Sequence, residues 1–223
     1  MDSAALLLSL ELAALTVAIL LPAGVVVARF LATRDFAGKP FVEAAFALPL
    51  VLPPTVLGYY LFTALGPTSG IGRAWHAVFG GNLVFTFKGA VIAATVGSLP
   101  LVVRSVLLGL DAVEPTLLAA ARTLGARPAR VLFTVRLPLA GPGLLAGGML
   151  GFARALGEFG ATIMVAGSIP GRTRTLALAI FHDVQVGEDG HALALAGVTV
   201  AVAFAVLWTT ERLTRGRAPE VEP

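Results

Sequence analysis

From Leu12 to Ala28, and again from Ala44 to Gly72, not one side chain carries a charge. With their flanks, both runs are long enough, at ~1.5 Å of helix rise per residue, to cross the ~30 Å hydrocarbon core of a bilayer. In lipid each backbone donor and acceptor must be satisfied inside the protein, so runs of this kind fold as helices. Composition agrees: 57% of the 223 residues are hydrophobic and 13% charged, against about 25% charged in a soluble domain. One core of this size cannot hide so much apolar surface from water.

Reading the remaining apolar runs in the same way gives an all-α integral membrane protein with five transmembrane helices, over 8–31, 41–65, 88–110, 139–166 and 191–210. The second run is longer than one span needs. Gly66-Pro67-Thr68-Ser69-Gly70 is turn chemistry, which ends that helix near Leu65. Residues 66–87 then form a loop with a short amphipathic piece around Ala74 to Phe79, and 167–190 form a second such loop. Met1-Asp2-Ser3 lacks a positive n-region and Glu11 interrupts the first apolar run, so the first span is expected to be retained rather than cleaved.

Basic residues orient the bundle. With the N-terminus outside and the C-terminus inside, the inner face holds Arg29, Arg34, Lys39, Arg104, Arg122, Arg127, Arg130, Arg136, Arg212, Arg215 and Arg217. The outer face holds only Arg73, Lys88, Arg172 and Arg174, and Arg154 falls within a span. The absence of cysteine excludes disulfides, thiolate metal sites and cysteine nucleophiles. His76, His182 and His191 do not pair with one another at a ligand spacing, and no metal site is expected.

Three features inside the spans bear on mechanism. Pro49, Pro53 and Pro54 each remove a backbone donor from the second span, so a kinked or broken helix is expected, either a static kink or a moving hinge; Pro100 raises the same alternatives in the third span. In the fourth span Gly143, Gly147 and Gly151 repeat every four residues, which lets helix backbones approach closely, either for packing or to line a path at a dimer contact. Arg154 and Glu158 lie one helical turn apart at membrane depth, where charges face protein or water. They read as a structural ion pair or as direct contacts to a substrate.

Between the third and fourth spans, residues 111–138 form an inner loop with helix signals. Pro115 suits a first helical turn, with Glu114 beside its positive end. Ala119, Ala120 and Ala121 propagate the helix, and Gly125 suits its C-terminal cap. Pro128 starts a second short piece and Pro138 closes the segment. Physics alone leaves this elbow as either a docking knob or a connector.

Here the sequence resembles the "EAA" loop of ABC importer permeases: E-A-A, three residues, G, nine residues, then I-x-L-P. Ala119-Ala120-Ala121, Gly125 and Val135-Arg136-Leu137-Pro138 keep each spacing, with Ala119 in place of the glutamate and Val135 in place of the isoleucine. Leu48 to Val56, Ala120 to Ala126, Phe152 to Thr162 and Ile169 to Thr173 are similar to stretches of molybdate permeases, the Arg154 to Thr162 part being shared with sulfate permeases. The resemblance runs from about Leu6 to Leu213, making 6–213 one type I ABC importer transmembrane domain and 214–223 a polar tail.

That resemblance implies a homodimer in the bacterial cytoplasmic membrane, two cytoplasmic ABC ATPase subunits, and an extracytoplasmic binding protein that delivers the oxyanion. No nucleic-acid partner is implied. The coupling residues would be Ala119, Ala120, Ala121, Arg122, Gly125, Leu137 and Pro138. No G-x-x-x-x-G-K-[ST] pattern occurs, so the chain is read as a non-enzyme and ATP as the cofactor of the partner. Sulfate, tungstate or another oxyanion is the alternative cargo. A secondary transporter would show internal repeats and more buried ionisable groups, and a membrane enzyme a clustered catalytic set; neither pattern is present in the sequence. Arg154 and Thr162 are candidates for weak contact with the oxyanion; Arg172 and Arg174 read mainly as solvated loop charges, with such contact as the alternative.

Overall fold

The computed structural model describes residues 3–33 and 36–215; Arg34, Arg217 and positions 216–223 of the polar tail lie outside the described residues. Twelve α-helices follow one another, and no strand forms among the described residues. Three of them are long and apolar enough to cross a membrane without interruption: α1 (Ser3–Thr33), α5 (Phe87–Asp111) and α12 (Asp189–Arg215).

Helix α5 is the centre of the bundle. Small residues recur along it, with Gly89, Ala90, Ala93, Ala94, Gly97 and Ser98 all buried. This lets α1 on one side and α9 (Gly141–Leu156) on another pack close to its backbone. Leu12 and Ala13 of α1 meet Ala90, Val91 and Ala94 of α5 towards one end, and Leu20 and Ala28 meet Val102, Val106 and Leu110 towards the other. Burying the leucines and valines among them is worth about 1.5–3 kcal/mol each in water. Within lipid, close van der Waals contact takes over that role. Helix α12 exposes Leu193, Val200, Phe204 and Leu207, an apolar surface suited to hydrocarbon.

Two expected spans are not single straight helices. In the second, α2 (Lys39–Val51) and α3 (Pro54–Leu65) differ in direction by 113°. Pro53 and Pro54 remove successive donors at the junction, leaving Leu52 and Pro53 extended, with ψ of 137° and 133°. In the fourth, the chain bends by 72° between the elbow segment Pro128–Leu139 and α9. It then breaks again at Gly157, Glu158 and Phe159, before α10 (Gly160–Ala166). A continuous helix over 139–166 is therefore corrected to a helix, a break and a short helix. The cause is Glu158, whose carboxylate turns back to accept the Ala161 N–H at 2.9 Å, at the start of the new helix.

Residues 66–87 contain α4 (Gly70–Phe79), capped by Ser69, whose hydroxyl accepts the Gly72 N–H at 2.8 Å. Residues 167–190 are more ordered than a loop. They hold α11 (Leu176–Val186), which buries Leu176 and Ala179 against Ala5 of α1 and Leu195 of α12. Helix α12 begins at Asp189, an acidic first-turn residue, and continues through Arg215, while its apolar span, Asp189–Thr209, nearly coincides with the expected 191–210.

Candidate functional site

Two regions carry the candidate residues, and they lie on opposite halves of α5. The first is the elbow. Helix α6 (Pro115–Thr123) is followed by α7 (Pro128–Val131), a π-helical turn over Leu132–Arg136 and α8 (Leu137–Leu139). Gly125 has φ of +81°. The Ala126 N–H donates to the Ala121 carbonyl and the Gly125 N–H to the Arg122 carbonyl. Those two bonds are the Schellman pattern that ends a helix on a left-handed residue. Nothing lies within 4 Å of where a Gly125 Cβ would be, so the glycine serves backbone conformation and not packing.

The π turn has its own cause. Pro138 has no N–H to return to the turn before it, and the ladder slips by one residue, with the Leu137 N–H donating to the Leu132 carbonyl. From the end of this turn Arg136 reaches back to α5. Its Nε donates to the Leu110 carbonyl at 3.2 Å, and its Nη2 donates to Asp111 Oδ1 at 3.3 Å. The elbow is thus tied to the end of the helix it follows.

Ala119, Ala120 and Arg122 are exposed, Ala121 is half-buried, and Leu124 at the tip is 88% exposed. Leu118 and Leu137 pack under the elbow against the α1–α5 core, while Pro138 is exposed. The result is a short rigid knob. Its buried side is apolar, and its outer side offers small residues, the exposed Leu117 and Leu124, and arginines.

The second region is where the broken helices cross. The break at Pro53 and Pro54 abuts the break at Gly160: a Cβ on Gly160 would stand 2.7 Å from Pro54 Cβ, and one on Gly58 would stand 2.8 Å from the Ala161 Cα. Only glycine permits those two approaches. Beside them Arg154 Nη1 donates to Glu158 Oε2, and Glu158 itself is 2% exposed. The carboxylate therefore joins three things: the arginine of α9, the first turn of α10, and the small surface of α5 at Gly97. A Cβ at Gly97 would lie 3.4 Å from Glu158 Oε2.

Thr162 is fully buried, and its hydroxyl donates to the Glu158 and Phe159 carbonyls. It staples the start of α10 and has no donor left for an anion. The Arg154 side chain keeps 29% exposure. Pro49 lies inside α2, which buries none of its residues within this chain.

Gly143, Gly147 and Gly151 all face α5. Their added Cβ atoms would meet Gly109 Cα at 2.4 Å, Ser105 Cβ at 3.1 Å and Val102 Cγ2 at 2.6 Å. On the far side of the bundle Arg174 is held by Ser168 at 3.1 Å, while Arg172 is exposed.

Three residues of these regions carry little sequence signal. Gly97 is one small residue among many in its span, and Arg136 reads only as one more inner-side charge. Gly58 sits in an uncharged run with nothing to mark it. Their roles come from neighbours distant in sequence.

The comparisons with known proteins agree with this architecture. Residues 20–217 match the binding-protein-dependent transport system inner membrane components, and the chain belongs to that family. The relatives narrow the group to molybdenum transport permeases. The molybdenum transport system permease protein ModB of Escherichia coli (strain K12) is 45% identical over 95% of this chain and 93% of its own length. That of Azotobacter vinelandii is 43% identical over 97% and 96%. In fold alone, the chain is similar to a bacterial ABC transporter involved in the import of the acidic polysaccharide alginate. That likeness has a TM-score of 0.74 at 14% identity and covers 96% of this chain and 79% of that one.

Proposed function

We propose that this chain is the membrane-spanning subunit of an ATP-driven importer of molybdate. The observation that carries the reading is identity of 45% along nearly the full length of a molybdenum transport permease. It works as a homodimer in a bacterial cytoplasmic membrane. Each of two ABC ATPase subunits grips one elbow, and an extracytoplasmic binding protein supplies the oxyanion. The reading takes α1, the broken α2–α3 pair, α5, α9 with α10, and α12 as the five spans, with the N-terminus outside and residues 111–138 inside, the orientation that the basic residues favour.

In this reading α6 is the handle. Its Schellman cap and the Arg136 brace make it rigid, so a push on Ala119 to Gly125 reaches α5 and α9 without being absorbed in the loop. From Asp111 to Gly97 is fourteen residues of α5, roughly 21 Å of helix. That lever ends at the crossing of the broken helices, where Arg154 and Glu158 hold the junction. ATP binding favours one facing of the permease only if the ATPases bind it more tightly in that state. The partly exposed Arg154 guanidinium offers a weak contact for a passing dianion. Cargo choice rests with the binding protein, and sulfate or tungstate is the alternative cargo.

The test is reconstitution of the chain with its ATPase and binding protein in vesicles, with uptake of radiolabelled molybdate measured against competing tungstate and sulfate. ATP-dependent molybdate uptake is expected, lost in Gly125→Val with the dimer intact. Uptake driven by an ion gradient without the ATPase, or wild-type rates and ATPase binding in Gly125→Val, would overturn the reading.

A further inference from the structure

Of the three histidines, His191 meets two carboxylates. Asp183 lies in the last turn of α11, Glu188 in the corner that follows, and His191 in the first turn of α12. One ligand atom of each lies within 4.8 Å of the other two. We propose that this corner is a binding site for a divalent transition-metal ion of the zinc class, held by Asp183, Glu188 and His191 and completed by water.

The backbone builds the trio. Leu176, Ala179, Ile180 and Asp183 share one face of α11, at i, i+3, i+4 and i+7. Asp183 therefore ends the stripe that packs on α1 and α12, and it is 7% exposed. Gly187 takes a φ of +80°, and the Glu188 N–H donates to the Asp183 carbonyl at 2.8 Å. This tight corner swings Glu188 back over Asp183. One turn on, His191 Nδ1 stands 2.6 Å from Asp183 Oδ2.

By formal count, two carboxylates outnumber the one imidazole. Asp183 is a buried carboxylate at the C-terminal end of a helix, the end that disfavours anions. The last turn of α11 has no basic residue. A second carboxylate, that of the exposed Glu188, has an oxygen within 4.8 Å of the other two ligand atoms and completes the donor set. One imidazole nitrogen and two carboxylate oxygens are a donor set for Zn²⁺ and its neighbours, whereas Mg²⁺ and Ca²⁺ prefer oxygen alone. A bound ion would pin α11 to α12 at the corner. This inference does not depend on the cargo or on the coupling role of the elbow.

The experiment uses the full chain in detergent, stripped with a chelator and titrated with ZnCl₂ by calorimetry, with thermal unfolding followed in parallel. The expected result is saturable binding of one Zn²⁺ per chain and a higher unfolding temperature with metal. Glu188→Gln and His191→Gln sit at exposed or half-buried positions, so both variants fold. Each should weaken binding by at least the roughly 10–100-fold that loss of an outer-shell partner costs and abolish the thermal shift. The neighbouring Asp189→Asn should leave both unchanged. Failure of the wild type to bind one Zn²⁺ saturably, or unchanged affinity in either of the two ligand variants, overturns the three-ligand site.

Discussion

Removing Arg154 should harm the protein more than neutralising its partner, and the structure says by how much. Glu158 is 2% exposed, so Arg154→Ala leaves a carboxylate buried with only the Ala161 N–H as compensation. Breaking a buried pair from one side costs about 3–5 kcal/mol. Glu158→Gln is gentler. The amide oxygen can still accept the Ala161 N–H, and the guanidinium, 29% exposed, can find water. The loss should be that of a charge-assisted bond, about 1.5–3 kcal/mol. Replacing both residues by leucine removes the unpaired charge altogether and forfeits mainly the cap, about 0.5–2 kcal/mol. The double variant should therefore be more stable than Arg154→Ala alone. Unfolding midpoints in mixed micelles, followed by helical circular dichroism, give the order. If Glu158→Gln costs more than Arg154→Ala, or if the double variant loses the sum of the single losses, the two side chains do not act as a buried pair.

Other substitutions test neighbouring parts of the argument. Gly125→Ala meets no atom within 4 Å, so its cost should be only the left-handed backbone, about 1–2 kcal/mol; the protein should fold, with any larger loss appearing in ATPase-coupled uptake. Gly143→Leu puts a side chain where Gly109 Cα already stands at 2.4 Å, and it should force α5 and α9 apart, reducing the yield of folded protein on size-exclusion chromatography. Arg136→Gln loses a partly exposed bridge worth about 0–1 kcal/mol, so an unfolding midpoint near wild type should accompany weaker ATPase stimulation.

Much of the molecule follows from local pattern. The uncharged runs demand helices that cross lipid, because no other open structure satisfies its backbone there. The breaks at Pro53 and Pro54 are written in proline's missing donor. The end of α6 at Gly125 is likewise local: a helix that must stop takes its left-handed turn where a Cβ is absent.

What the tertiary structure alone decides is which neighbour each signal serves. Gly143, Gly147 and Gly151 have the same spacing whether they meet a second copy or their own chain, and only the fold sets them against α5. The sequence pairs Arg154 with Glu158 on one continuous helix. Folding instead breaks that helix and turns the carboxylate to start the next one. Helix α11 emerges from an expected loop because Ala5 and Leu195, each distant in the chain, provide the apolar surface it covers. Periodicity records how a segment meets its own turns, up to four residues away. Contacts made across the bundle leave no comparable trace in one sequence, and those contacts place the Arg136 brace, the close approaches at Gly58 and Gly160, and helix α11.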